Sequence, residues 1–123
     1  MKILILRLSS FGDIVQTLVV PNLLKVQFPN AEIHWVVRSD LASVVELSPF
    51  VDKIWQVDRK KGIRGLFVLA KSLPQFTHIY DAHNNLRTGL LSRILKAPHF
   101  IRRSKQRWNR FFQLSLGLRG FKM

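Results

Sequence analysis

The chain contains no cysteine, which removes disulfides, thiolate metal ligands and thiol nucleophiles and leaves redox chemistry without its usual side chain. Carboxylates are nearly as scarce, with seven Asp and Glu against twenty Lys and Arg and a formal charge of +13. That imbalance makes an anionic partner the default: nucleic acid, an acidic membrane face or a phosphorylated substrate. Also missing is any apolar stretch long enough to span a bilayer. The short run in "MKILILRLSS" holds Arg7 and lacks a small-residue cleavage pattern, so it reads as a buried strand rather than a secretory signal. Repeats, low-complexity tracts and linkers are absent too. With 123 residues, 47% of them hydrophobic, the sequence predicts a single domain, 1–123.

What is present alternates. "KILILRL" is an almost unbroken apolar run, as a strand covered on both faces requires. "GDIVQTLVVPNLLKVQF" has helical spacing at Ile14, Val15, Leu18, Val19, Leu23, Leu24 and Phe28, with Pro21 marking a kink or restart. Strands are predicted at "AEIHWVV", "KIWQV", "THIYDA" and "HFIRR", and helices at "DLASVVELS", "IRGLFVLAKSL" and "NLRTGLLSRILK". Such alternation predicts an α/β fold with a doubly wound parallel sheet of about five strands, whose ligands sit outside the carboxyl ends of the strands. The last segment, "SKQRWNRFFQLSLGL", reads as a basic amphipathic helix with Trp108, Phe111 and Phe112 on one side, suited to packing on a domain or lying on an anionic membrane surface. No nucleic-acid reading motif is found, and none is expected to bind.

Three places carry candidate chemistry. In "LRLSSFGDIVQTL" the first strand passes through Ser9, Ser10 and Gly12 to Asp13, where a helix begins. On residue types alone, Ser10 or Asp13 caps that helix, the commoner role, or Asp13 is a general base held ionised by the helix start. One glycine there makes neither a dinucleotide fingerprint nor a P-loop. "YDAHNNLRTG", after the fourth strand, offers Asp81, His83, Asn84 and Arg87; His83 has no second ligand at metal spacing, so no metal is assigned. "RKKGIR" places Arg59, Lys60, Lys61 and Arg64 directly after the third strand, either as solvated surface or as an oxyanion site. The corner at Lys60, Lys61 and Gly62 is expected to be an exposed loop.

"ILILRLSSFGDIVQTL", "FPNAEIHWVV", "SPFVDKIWQVD" and "IYDAHNNLRTGLLSRIL", in that order, resemble the amino-terminal half of the family 9 glycosyltransferases, the lipopolysaccharide heptosyltransferases. The resemblance implies a Rossmann-like domain, the acceptor side of a two-domain GT-B enzyme, with the carboxyl-terminal donor-binding domain lacking from this chain. It implies that Asp13 is the base of an inverting transfer of heptose to the Kdo/heptose inner core of lipopolysaccharide. Ser9, Ser10, Gly12, Arg59, Lys60, Lys61, Arg64, Asp81, His83, Asn84 and Arg87 then belong to the acceptor side. His83 and Asn84 stand where the family has glutamine and glycine. No cofactor is implied beyond the donor, a nucleotide-diphospho-heptose held mainly by the other domain. The implied partners are a lipid-linked anionic saccharide, an anionic membrane surface and that second domain. The implied location is cytoplasmic, peripheral to the inner membrane of a Gram-negative bacterium. The competing reading is a noncatalytic basic module for anionic glycolipid or another polyanion. A base at Asp13 is expected to be solvent-exposed and free of any salt bridge, Arg7 being the cation most able to disturb it.

Overall fold

β1 (Lys2–Leu6) is apolar and buried from Ile3 onward because both of its faces are covered. In the computed structural model, which describes residues 1–83 and 86–102, it is followed by α1 (Phe11–Thr17), α2 (Val19–Gln27) and β2 (Glu32–Arg38). A 3₁₀ turn (Ser39–Leu41) leads into α3 (Ala42–Val45), and then come β3 (Lys53–Val57), a second 3₁₀ turn (Arg59–Lys61), α4 (Gly62–Ser72), β4 (His78–Asp81), α5 (Leu86–Leu95) and β5 (His99–Arg102). The strands form one sheet in the order β3-β2-β1-β4-β5, and every neighbouring pair is parallel. The α/β sheet expected from the alternating pattern is thus present.

β1 divides the core by the two-residue period of a strand. Ile3 and Ile5 join Ile14, Val20, Leu24, Ile33, Trp35 and Val37 on one face, while Leu4 and Leu6 join Val36, Leu66, Ala70, Ile79 and Leu91 on the other. His34 faces the second cluster, where its Nδ1 accepts the Trp55 indole N–H at 2.9 Å and its ring meets the edge of Phe76. Opposite each other on β4 and β5, His78 and His99 stack at 4.6 Å between ring centres.

The long first helix is split, as Pro21 predicts. Pro21 is the third residue of α2 and has no N–H to give the Thr17 carbonyl, and α1 meets α2 at Leu18, whose N–H is shared between Ile14 O and Val15 O. Leu18 keeps right-handed helical angles, so one buried stripe runs through both helices: Ile14, Val20, Pro21 and Leu24 are buried with Leu18 packed against them, while Val15 and Val19 beside it are exposed. The corner at Lys60 and Lys61 also differs from the expected loop. Asp58 Oδ1 accepts the Lys60 amide at 2.9 Å and starts a 3₁₀ turn, and Gly62, at φ +54°, bends the chain into α4 with a conformation that L side chains rarely adopt. The predicted basic helix over 104–118 lies outside the described residues. Among the described residues no helix is long and apolar enough to cross a membrane.

Candidate functional site

The chain leaves β1 toward β2 on one side, while β4, on the other side, is followed by β5, so a crevice opens at the carboxyl ends of β1 and β4. Pairing continues past the strand ends: the Arg38 amide donates to Leu8 O at 3.0 Å, and the His83 amide to Leu6 O at 2.9 Å. These bonds bring the Ser9–Asp13 turn and the β4–α5 loop against each other. Arg7 lies between them and is only 6% exposed. A charge that deep needs acceptors on its own scale. Its Nη1 donates to Ala82 O at 2.7 Å, its Nη2 is ion-paired with Asp13 Oδ2, and its carbonyl accepts the buried Trp35 indole N–H at 3.0 Å.

Ser10 occupies the cap position of α1 without capping it by its side chain. Its carbonyl accepts the Ile14 amide at 2.9 Å, and its Oγ instead donates to Asp13 Oδ2 at 2.8 Å. Asp13, the third residue of the helix, keeps a side chain 39% exposed. The Ser10 hydroxyl above all, then the Arg7 charge and the Ser10 amide, hold the Asp13 carboxyl below its ordinary value, against partial burial that pushes it up. The expectation of a carboxylate free of salt bridges is therefore corrected: a guanidinium buried in an apolar strand has to be neutralised, and Asp13 does it. Neither Ser10 nor Asp13 is a side-chain cap in the ordinary sense.

Of the other residues singled out in the sequence, Ser9 and His83 join this cluster. His83 is half-buried, and burial first and the Arg7 charge second lower its pKa, which keeps the imidazole neutral at neutral pH. Gly12 is exposed, and a Cβ there would meet nothing, so neither packing nor backbone demands glycine. Asp81 is fully buried at the end of β4; direct contact with an acceptor does not fit that burial, and its place is beneath the loop. Arg87 is the second residue of α5, and Asn84 lies outside the described residues.

The basic cluster forms a separate feature. Lys60, Lys61 and Arg64 line an open cleft of about 770 Å³ with Trp55, Gln56 and Asp58, between β3 and α4, and Arg59 begins the adjoining turn. β3 stands two strands from β1, roughly 10 Å at ordinary strand spacing, and both features lie at carboxyl ends of strands. Sequence reading names Arg7 as the cation able to disturb Asp13 but expects Asp13 to stay free of it, and misses the Ala82 carbonyl. The signal was available: a lone arginine inside "KILILRL" has to find an acceptor, and the next carboxylate along the chain is Asp13, six residues on.

No family model matches the chain. Over 103 residues it is 32% identical to lipopolysaccharide heptosyltransferase 1 of Campylobacter coli, a match covering 81% of this chain and 30% of that protein. Over 95 residues it is 30% identical to the lipopolysaccharide core heptosyltransferase OpsX of Haemophilus influenzae, covering 76% of this chain and 27% of that one. A solved family 9 glycosyl transferase from Veillonella parvula superposes with a TM-score of 0.75 at 27% identity, over 80% of this chain and 30% of the other. The chain resembles these glycosyltransferases in sequence and fold, spans less than a third of their length, and its partial coverage fits an amino-terminal domain.

Proposed function

We propose, on the premise that this chain is the amino-terminal part of a glycosyltransferase resembling the lipopolysaccharide heptosyltransferases, that it holds the acceptor saccharide and supplies the base for heptose transfer. The carrying observation is Asp13, partly exposed beside the β1–β4 crevice and fixed by Ser10 and Arg7. An acceptor hydroxyl placed against Asp13 gives its proton to the carboxylate while its oxygen bonds to the anomeric carbon of the heptose. The bond from that carbon to the diphosphate breaks, the nucleotide diphosphate leaves with the electron pair, and the configuration inverts. A carboxylate with a lowered pKa is ionised at neutral pH, so it stands without the proton it is to receive.

The acceptor is an anionic, lipid-linked Kdo/heptose saccharide. Lys60, Lys61 and Arg64 supply the donors its carboxylates and phosphates need, in the cleft two strands from the base, so a short oligosaccharide reaches from one to the other. The donor, a nucleotide-diphospho-heptose, is held mainly outside these residues, and the domain works at the cytoplasmic side of the inner membrane. In a heptosyltransferase carrying this domain, Asp13→Asn lowers kcat by about 100-fold or more and leaves acceptor affinity nearly unchanged. A fully active Asp13→Asn enzyme removes the proposal.

A further inference from the structure

We infer that Arg7 is the positioning residue of this site: it grips Asp13 Oδ2 and the Ala82 carbonyl together, so that Oδ1 is presented to the acceptor and the two acceptor-side loops are held as one unit. The inference rests on the reading of Asp13 as base. It goes beyond that reading in assigning separate tasks to the two carboxylate oxygens.

The geometry carries the assignment. Both side-chain donors to Asp13, Arg7 Nη2 and Ser10 Oγ, close on Oδ2. An ionised carboxylate has about four acceptor positions. Even with the Ser10 amide also directed at the group, one position remains, and it belongs to Oδ1. Arg7 itself cannot move to follow a substrate. It is buried, its Nη1 is committed to Ala82 O, and its own carbonyl is tied to Trp35, whose ring is fully buried. A flexible aspartate on a short helix is thereby given one orientation by a group set in the sheet. The guanidinium fork suits this task, since two fixed N–H directions serve two acceptors on different segments.

A purely structural arginine also satisfies Asp13 and Ala82, so the test has to read orientation and charge rather than folding alone. Among the described residues, the charged and titratable groups that act on Asp13 or its neighbours in the site are Arg7, which pairs with it, and His83, which feels Arg7, Asp81 and Asp13. Titration of the ¹³C-labelled Asp13 carboxyl by NMR in this chain should give a higher midpoint in Arg7→Met and a recovered one in Arg7→Lys. In the enzyme carrying the domain, Arg7→Met should lower kcat roughly 10-fold at unchanged acceptor KM. The acid limb of its pH–rate profile should move upward, because a base of raised pKa protonates sooner. Arg7→Lys should restore both. If Arg7→Met does not fold, Arg7→Gln, which keeps a donor without charge, is measured in its place. An unmoved Asp13 midpoint alongside an inactive Asp13→Asn enzyme overturns the role of Arg7 and leaves the base standing. A moved midpoint alongside a fully active Asp13→Asn enzyme removes the base, and the positioning role with it.

Discussion

Replacing Asp13 by Ala strips a buried guanidinium of its carboxylate and leaves it the Ala82 main-chain carbonyl, and the size of the loss follows from the contacts. Breaking a fully buried ion pair by deleting one partner costs about 3–5 kcal/mol. Here the carboxylate is 39% exposed and water can replace it at Arg7, so a discount toward the value of a charged hydrogen bond at the surface is needed. Arg7 keeps Ala82, and the helix start loses its first-turn acid, worth about 0.3–1 kcal/mol. The sum is about 1–2 kcal/mol for Asp13→Ala, or about 4–8 °C in Tm for a domain of this size. Asp13→Asn, which still accepts from Arg7 and Ser10 without charge, should lose about half of that. Thermal and urea unfolding followed by circular dichroism measure both. Because the Asp13 carboxyl titrates below its ordinary 3.8 in the folded chain, its contribution is full above that value and disappears as pH falls through the folded pKa. Wild type and Asp13→Asn should therefore converge in strong acid. An Asp13→Ala chain as stable as wild type near neutral pH would refute the claim that this pair neutralises a buried charge.

Reversing Lys60, Lys61 and Arg64 to Glu should weaken binding of a phosphorylated Kdo oligosaccharide by about 10-fold or more at low salt, with the gap closing as salt shortens the Debye length from about 10 Å at 0.1 M to 3 Å at 1 M; titration calorimetry reads it. The 123-residue chain should bind nucleotide-diphospho-heptose too weakly for the same calorimetry to register, and tight binding contradicts the division of labour. Gly62→Ala, forced to φ +54°, should cost about 1 kcal/mol or more in urea unfolding. Burial lowers the pKa of His34, His78 and His83, so the unfolded chain binds more protons just below 6.5, and stability should fall as pH drops through that window.

The strands were legible because a sheet covered on both faces needs apolar runs, and "KILIL" and "EIHWVVR" carry them. Pro21 marked the helix break, but the spacing alone did not say which apolar residues are buried: Val15 and Val19 of the same apolar run are exposed while Val20 is buried. Asp13 was legible as a site residue from its place between strand and helix. Arg7 was legible as the cation able to reach it, but not that Arg7 is fixed through Ala82, 75 residues away, a contact that exists only once β1 and β4 are in register. The basic run read correctly as lying beyond β3, while the cleft beside it depends on α4 standing against the edge strand.

β1 precedes both of its neighbours along the chain and is completed by the later of them. Ile3 lies between Ile33 and His78 in the sheet, and the Lys2 carbonyl waits for the amide of Thr77. During synthesis at about 5–20 residues per second, the apolar strand has no second neighbour for about 4–15 s while the 75 residues separating it from its β4 partner emerge. Until β4 is present the apolar strand keeps one edge unpaired and Arg7 lacks the Ala82 carbonyl that fixes it, so assembly of the Arg7–Asp13 pair is tied to the arrival of β4.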